Sequence, residues 1–265
     1  MGFKVGVCQF KPELMQTEKN LKKMESLLES VSADLIVLPE LAVSGYLFNS
    51  EEEVKSIAED PNNGPTVTLF QKLAKQQNTS YVVGFAEKTK NGIYNSAMLV
   101  NPDTSIHIYR KAHLFFEEKK WFKAGDTGFK VFRAKNNVKV GLMICFDWIF
   151  PESARSLALA GAQIIAHPAN LVLPWCQQAM LTRSLENGVF SATSNRTGKE
   201  TNGDKVLNFT GMSQIVDTKG QIIHRMNKFE ESIFITEIDP LESEDKDITE
   251  FNNLLLDRRT ELYRS

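Results

Sequence analysis

Apolar and polar positions alternate from residue 4 to residue 10, the period of a half-buried strand, and then change to helical spacing. From Thr17, a residue type suited to an N-cap, Leu21, Met24, Leu27, Leu28 and Val31 recur three and four positions apart and predict a helix. A short apolar run at 35–38 predicts the next strand, so the chain opens as the strand–helix–strand unit of a parallel arrangement. Helical patterns follow at 51–57 and 65–77. Residues 81–87 and 93–100 then read as two strands joined around Asn91-Gly92, a strong hairpin signal, which makes the sheet mixed. A further strand at 106–110 leads into RKAHLFFEEKKWFKAGD. Phe115, Phe116, Trp121 and Phe122 would each lose about 1.5–3 kcal/mol if left in water, so this segment is expected to fold inward and to carry Lys111 and Glu118 with it.

The second half repeats the alternation of strands and helices. An apolar run at 138–144 reads as a buried strand, and Pro151 opens a helix over 151–160 that carries Arg155. A strand at 164–167, a helix at 177–187 with Met180, Leu181 and Leu185 at core spacing, and a strand at 189–194 follow. The polar stretch 195–205, NRTGKETNGDK, reads as a surface loop. Residues 211–216 and 221–224 form a second expected hairpin, and 232–238 the last strand. No repeat, linker or low-complexity run divides the chain, so one domain over 1–265 is expected. Its charge-rich tail, 239–265, ends in a helix-like piece at 254–263 suited to packing on a partner subunit.

Composition narrows the classes. A chain of 265 residues that is 42% hydrophobic and 24% charged is an ordinary globular one, with ample length for a core. A net charge of −2 argues against a nucleic-acid or anionic-membrane partner. No run of eighteen apolar residues exists, and MGFKVGVCQF enters a strand pattern directly instead of the charged and apolar regions of a signal peptide. Cys8, Cys145 and Cys176 are odd in number and far apart, which fits free thiols in a reducing, cytoplasmic setting.

Candidate chemistry concentrates on Cys145. It stands at the carboxyl end of an expected central strand just before a helix, where open α/β sheets form binding crevices and where a sharp turn can present a nucleophile. The plain alternative is a small core hydrophobe, the role expected for Cys8. A thiol is only slightly ionised at neutral pH, so a nucleophilic Cys145 needs a base or a cation beside it. Two partner sets are available. One is His167, which ends the strand after the Cys145 helix. The other is Glu40 with Lys111, both just past expected strands; Glu40 lies between Pro39 and Leu41, and apolar surroundings of that kind raise a carboxyl pKa toward general-base range. Spacing does not separate the two. The four histidines show no metal-ligand spacing such as H-x-x-x-H.

Pro39-Glu40-Leu41, Arg110-Lys111-Ala112-His113-Leu114 and Gly141-Leu142-Met143-Ile144-Cys145-Phe146-Asp147, in this order, resemble the three signature blocks of the nitrilase superfamily of carbon–nitrogen hydrolases. The resemblance runs from the first strand to about residue 238. It implies an α/β fold, a four-layer αββα sandwich with two mixed sheets between helical layers, and a homodimer. It also implies a Glu40–Lys111–Cys145 triad, with Glu118 in E-K-K-W-F-K-A-G matching an additional glutamate. Neither metal nor cofactor is implied. Glu40 would be the base, Cys145 the nucleophile, and Lys111 with the Phe146 backbone N–H the oxyanion donors. Asn170 and Trp175 are expected to line the substrate pocket, although a core role at a helix start is open for Trp175. The Cys-Phe-Asp-Trp and Phe-Pro-Glu run resembles the branch holding small-amide hydrolases and some archaeal-type nitrilases, and departs from the Cys-Trp-Glu run of plant and bacterial nitrilases. This favours a small aliphatic or ω-amide, with nitrile hydrolysis, carbamoyl-amine hydrolysis and an idle scaffold as the alternatives.

Overall fold

The computed structural model describes residues 2–263; Met1, Arg264 and Ser265, the ends of the expected 1–265 domain and of its tail, lie outside the described residues. The first half runs β1 (Phe3–Gln9), α1 (Thr17–Leu28), β2 (Leu35–Val37), α2 (Glu51–Ile57), α3 (Pro65–Gln77), β3 (Ser80–Thr89), β4 (Gly92–Val100), β5 (Ile106–Arg110) and the single turn α4 (Glu118–Trp121). The second half runs β6 (Val131–Arg133), β7 (Lys139–Leu142), α5 (Pro151–Leu159), β8 (Ile164–Ala169), α6 (Cys176–Leu185), β9 (Phe190–Asn195), β10 (Lys199–Asn202), β11 (Lys205–Asn208), β12 (Gln214–Val216), β13 (Ile222–Arg225) and β14 (Ser232–Ile238).

Twelve of these strands form two six-stranded sheets, ordered β14-β1-β2-β3-β4-β5 and β13-β12-β9-β8-β7-β6, and β10 and β11 pair apart from them. Both six-stranded sheets are mixed. In each, three neighbours (β1, β2, β3 and β7, β8, β9) run parallel, and the flanking strands are antiparallel. The period-two side-chain pattern explains why the sheets stack. Val5, Val7, Leu35, Val37, Ala97 and Leu99 face the other sheet and share one core with Val140, Leu142, Ile164 and Ala166. The alternate positions Cys8, Ile36, Leu38, Tyr81 and Val83 point the other way, onto Met24 and Leu28 of α1 and Phe70 and Leu73 of α3. On the second sheet, α5 contributes Ala154 and Leu157 and α6 contributes Met180 to the packing. Gly141 lets α5 approach β7: an added Cβ would lie 3.0 Å from the Leu157 methyls. The result is the expected αββα sandwich. The side-chain amide of Asn170, just past β8, donates to the Glu40 carbonyl, and Lys111 Nζ bonds the Glu40 side chain, so the ends of β2, β5 and β7 deliver Glu40, Lys111 and Cys145 to one region.

Four expectations change. The stretch 195–205 is not a surface loop: Arg196 and Glu200 are buried, and β10 and β11 pair as a hairpin from Lys199↔Asn208 to Asn202↔Lys205. The reason is the Arg196–Glu200 ion pair described below, which neutralises two charges that a polarity reading counts as solvent-facing. Strand β6 is added at the edge of the second sheet; at three residues it is too short for a period to register. The piece 254–263 is not an α-helix but turns ending in a short 3₁₀ segment, Thr260–Leu262. Finally, Phe122 is buried as expected of the aromatic segment, but Phe116 is 74% exposed.

Candidate active site

Three turns carry the acid, the cation and the thiol. The Glu40 turn is sewn to β3: the Leu38 N–H donates to the Val82 carbonyl (2.7 Å), Gly84 to Pro39 (3.2 Å) and Ala42 to Gly84 (2.9 Å). Position 84 must be glycine for this, since a Cβ there would lie 2.5 Å from the Glu40 Cα. Lys111 extends the β4–β5 ladder by donating its N–H to the Asn95 carbonyl (2.8 Å). Cys145 opens a tight 3₁₀ turn, Cys145–Ile149, with φ at +42°. Leu41 (φ +46°) and Phe116 (φ +48°) are also in the left-handed region, so each of the three turns holds a non-glycine residue there, a form of strain that collects at functional sites.

Asp147 fixes the Cys145 turn. One of its oxygens accepts from the Ile144 N–H (2.8 Å) and the Tyr109 hydroxyl (2.7 Å), the other from the His113 N–H (3.1 Å) and the His113 Nδ1 (2.8 Å). The carboxylate thereby locks the Cys145 turn to the chain segment leaving β5. His167 secures the other side. Its Nε2 lies 2.9 Å from the Cys145 carbonyl oxygen, which only accepts, so Nε2 carries the proton and Nδ1 accepts from the Thr193 hydroxyl (3.1 Å). Both ring nitrogens are used, and the Cys145–His167 base pair left open by the sequence is not formed. His113 and His167 are therefore structural.

Burial lowers the His167 pKa to about 4. The unfolded chain, with an ordinary imidazole near 6.5, binds the extra proton first, so this contribution is complete above that value and is lost as pH falls toward 4. We expect melting curves to show roughly 3 kcal/mol less stability at the acid end from this group. His167→Asn should flatten that part of the pH dependence.

The charges converge at Lys111. Its buried Nζ donates to Glu40 Oε1 (2.7 Å) and Glu118 Oε1 (2.7 Å). Asn95 Nδ2 donates to the same Glu40 oxygen (2.7 Å) and reaches Glu118 Oε2 at 3.4 Å. The Tyr46 hydroxyl donates to Glu118 Oε1 (2.6 Å). Glu40 Oε2 is buried with no hydrogen-bond partner among the described residues. Burial by itself would depress Lys111, but Glu118 and Glu40 outweigh it and hold the ammonium above its ordinary range. Burial raises Glu118, Lys111 opposes that, and Glu40 adds to it. Burial and the negative field of Glu40 push the Cys145 thiol well up, with Lys111 and the Asn170 backbone N–H pulling against them. The resting thiol is thus protonated, within reach of the fields of both Glu40 and Lys111. An arrangement of this kind holds a proton on sulfur, an acceptor oxygen without a partner, and an immobile positive charge.

Of the remaining expected residues, Phe146 and Asn170 line the small cleft over Cys145 with Phe115, Trp148 and Leu171. The Asn170 amide donates to the Glu40 carbonyl (2.9 Å), and its buried Oδ1 has no partner among the described residues. Trp175 is 58% exposed at the start of α6 and is not among the residues lining that cleft, while Cys176 beside it is fully buried. Sequence reasoning missed Asn95, Tyr46, Asp147 and Glu200. Asn95 was visible in principle: it shares the inward parity of Ala97 and Leu99 on β4, where an amide needs a partner. Glu200 Oε1 accepts from the backbone N–H groups of Tyr46 (2.9 Å) and Leu47 (2.7 Å), and Oε2 accepts from the Arg196 guanidinium (2.7 Å), which lies 3.9 Å over the Phe209 ring. No local signal announces that link between positions 46 and 200. Among the described residues no group of three or more His, Cys, Asp or Glu is placed to hold a metal, and no helix is long and apolar enough to cross a membrane.

Two stacked mixed sheets with an acid–ammonium–acid cluster and a thiol at the strand ends define a class, and the comparisons agree on it. Residues 4–245 match the carbon-nitrogen hydrolase family model, and the chain belongs to that family. It is 44% identical to a nitrilase of Pyrococcus abyssi, over 98% of each chain. It is 31% identical to an N-carbamoylputrescine amidase of Oryza sativa, over 99% of this chain and 94% of that one. A carbon-nitrogen hydrolase from Helicobacter pylori G27 superposes with a TM-score of 0.84 at 26% identity, covering 99% of this chain and 97% of that one. The protein is accordingly a hydrolase of C–N bonds other than peptide bonds.

Proposed function

We propose that the protein hydrolyses a small aliphatic or ω-amide to a carboxylate and ammonia through a thioester on Cys145. Glu40 takes the thiol proton as sulfur bonds to the carbonyl carbon. Lys111 and the Phe146 backbone N–H hold the negative oxygen of the tetrahedral adduct. Glu40 then returns the proton to the nitrogen, the C–N bond breaks, and ammonia leaves. Water attacks the thioester with Glu40 again as base, releasing the acid and the thiol. Glu118 keeps Lys111 in place and orients the substrate amino group. The observation that carries this reading is Lys111, buried between Glu40 and Glu118, with Glu40 Oε2 left without a partner among the described residues.

Nitrile hydrolysis to acid and ammonia is the second reading, favoured by the 44% identity to a protein named a nitrilase. A panel of amides, carbamoyl amines and nitriles read by ammonia release separates the two. The amide reading predicts faster release from an amide than from the matching nitrile, together with an acyl adduct on the Cys145 peptide. The reverse order would sink it.

Tyr46→Phe removes the hydroxyl that steadies Glu118 without opening the core. It should lower kcat/KM roughly 10- to 100-fold, the worth of a hydrogen bond to a charged group, with little change in melting temperature.

We further propose a homodimer working in the cytoplasm. Ile248, Phe251, Leu256 and Leu262 of the tail stand exposed, an arrangement that suits burial on a second copy. The three free cysteines suit a reducing compartment. Sedimentation should give a dimer that Phe251→Glu combined with Leu256→Glu converts to monomer.

A further inference from the structure

The cleft directly over Cys145 holds about 20 Å³, little more than one water molecule, so it has room for the reacting group and not for the rest of a substrate. A second cavity of about 290 Å³ lies beyond Glu118 and Tyr46, both of which form part of its wall. It is lined by Leu47 and Phe48 on one side, Trp121 and Phe122 on another, and Val206 and Leu207 of β11 on the third. We propose that this cavity is the subsite for the substrate's chain, and that it selects an amide with an uncharged apolar tail, of about the size of a short alkyl chain or one aromatic ring. The inference rests on the reading that the Cys145 site hydrolyses amides.

Three observations support the choice of tail. The lining side chains are mostly aliphatic and aromatic, with Glu117, Glu118 and Lys205 as the charged members, and the apolar majority rewards apolar surface on the tail. The charges at the cavity are matched within the protein: Lys205 pairs with Glu117 at 2.6 Å, and Glu117 also pairs with Lys120 at 2.7 Å. Lys205 is therefore already engaged and not left to receive a carboxylate-ended ω-amide, and Glu118 is held by Lys111 and Tyr46. The third wall is also built to stay in place. Glu200 on β10 binds the Tyr46 and Leu47 backbone and the buried Arg196, so the hairpin carrying Val206 and Leu207 is fastened to the same loop that places Tyr46 on Glu118. Chain length is thereby read by the element that also steadies the charge cluster.

The test compares acetamide with hexanamide. In the wild type, kcat/KM should favour hexanamide. Val206→Trp or Leu207→Trp, which fill the cavity, should lower the hexanamide-to-acetamide ratio about 10- to 100-fold, as expected for several methylenes refused by an apolar pocket. Leu207→Ala, which enlarges it, should raise the ratio for the bulkier phenylacetamide, and Ile223→Trp on the far strand β13 is the control. A ratio unmoved by both filling and enlarging variants would overturn the subsite. Binding in the inactive Cys145→Ala background, followed by tryptophan fluorescence with Trp121→Phe as reference, is independent of turnover. Hexanamide bound more tightly than acetamide, without ammonia release by the wild type, would sink the amide reading and leave the subsite standing. Equal binding of the two amides would sink the subsite even if both are hydrolysed.

Discussion

Cys145→Ala should reduce kcat/KM by about five orders of magnitude or more, the scale of removing a nucleophile whose partners act only through it. The fold should survive, because Cys145 is 5% exposed and its packing neighbours lose only one sulfur atom. The comparison with Cys145→Gly is more informative. Both variants lack the thiol, so they should be equally inactive, but φ at 145 is +42° and only glycine occupies that region without cost. Cys145→Gly should therefore be the more stable of the two by about 1 kcal/mol, or a few degrees in melting temperature for a chain of this size. Equal melting temperatures would mean the turn relaxes in the alanine variant. The strain would then not be imposed by Asp147 and His167, which hold the turn from its two sides.

The strands and most helices were legible because their patterns are local. Val5 and Val7 against Cys8, or Val37 against Ile36 and Leu38, assign faces by parity alone, and Pro151 marks a helix start by its fixed φ. The positions of Glu40, Lys111 and Cys145 at three strand ends were legible for the same reason. Spacing alone did not join them; the three ordered motif blocks did so by resemblance. The choice between His167 and Glu40 as the partner of Cys145 depends on which way an imidazole points, and that is decided by Thr193 and the Cys145 carbonyl, contacts between separate strands. Arg196 and Glu200 read as surface charges because a buried ion pair looks, residue by residue, like two solvated ones. Only the approach of the hairpin to residues 46–47 makes their burial affordable. The tail failed differently: 254–263 has helical spacing but no core to face, and spacing without a partner surface does not hold a helix.

Lys111→Met should damage stability and activity together, and the two losses have the same origin. In the native protein the ammonium is fully buried and answers two buried carboxylates at 2.7 Å each. Removing it leaves Glu40 and Glu118 facing each other without a cation, a situation that costs about 3–5 kcal/mol when one partner of a buried pair is deleted. Melting should fall by roughly 10 °C, and kcat/KM by at least about 10²- to 10³-fold for the lost oxyanion donor. The pH dependence separates this account from a simple packing defect. Without the cation, burial and mutual repulsion raise the carboxyl pKa values of the folded variant above those of the unfolded chain, so the folded state takes up protons first and gains stability as pH falls through the raised values. The stability gap between Lys111→Met and wild type should therefore narrow as pH falls. Adding Glu118→Gln, which deletes one of the stranded charges, should recover much of the melting temperature at neutral pH but none of the turnover. If the gap is independent of pH and Glu118→Gln restores nothing, then Lys111 contributes shape and not charge, and both its pairing with Glu40 and its service to the oxyanion would have to be abandoned.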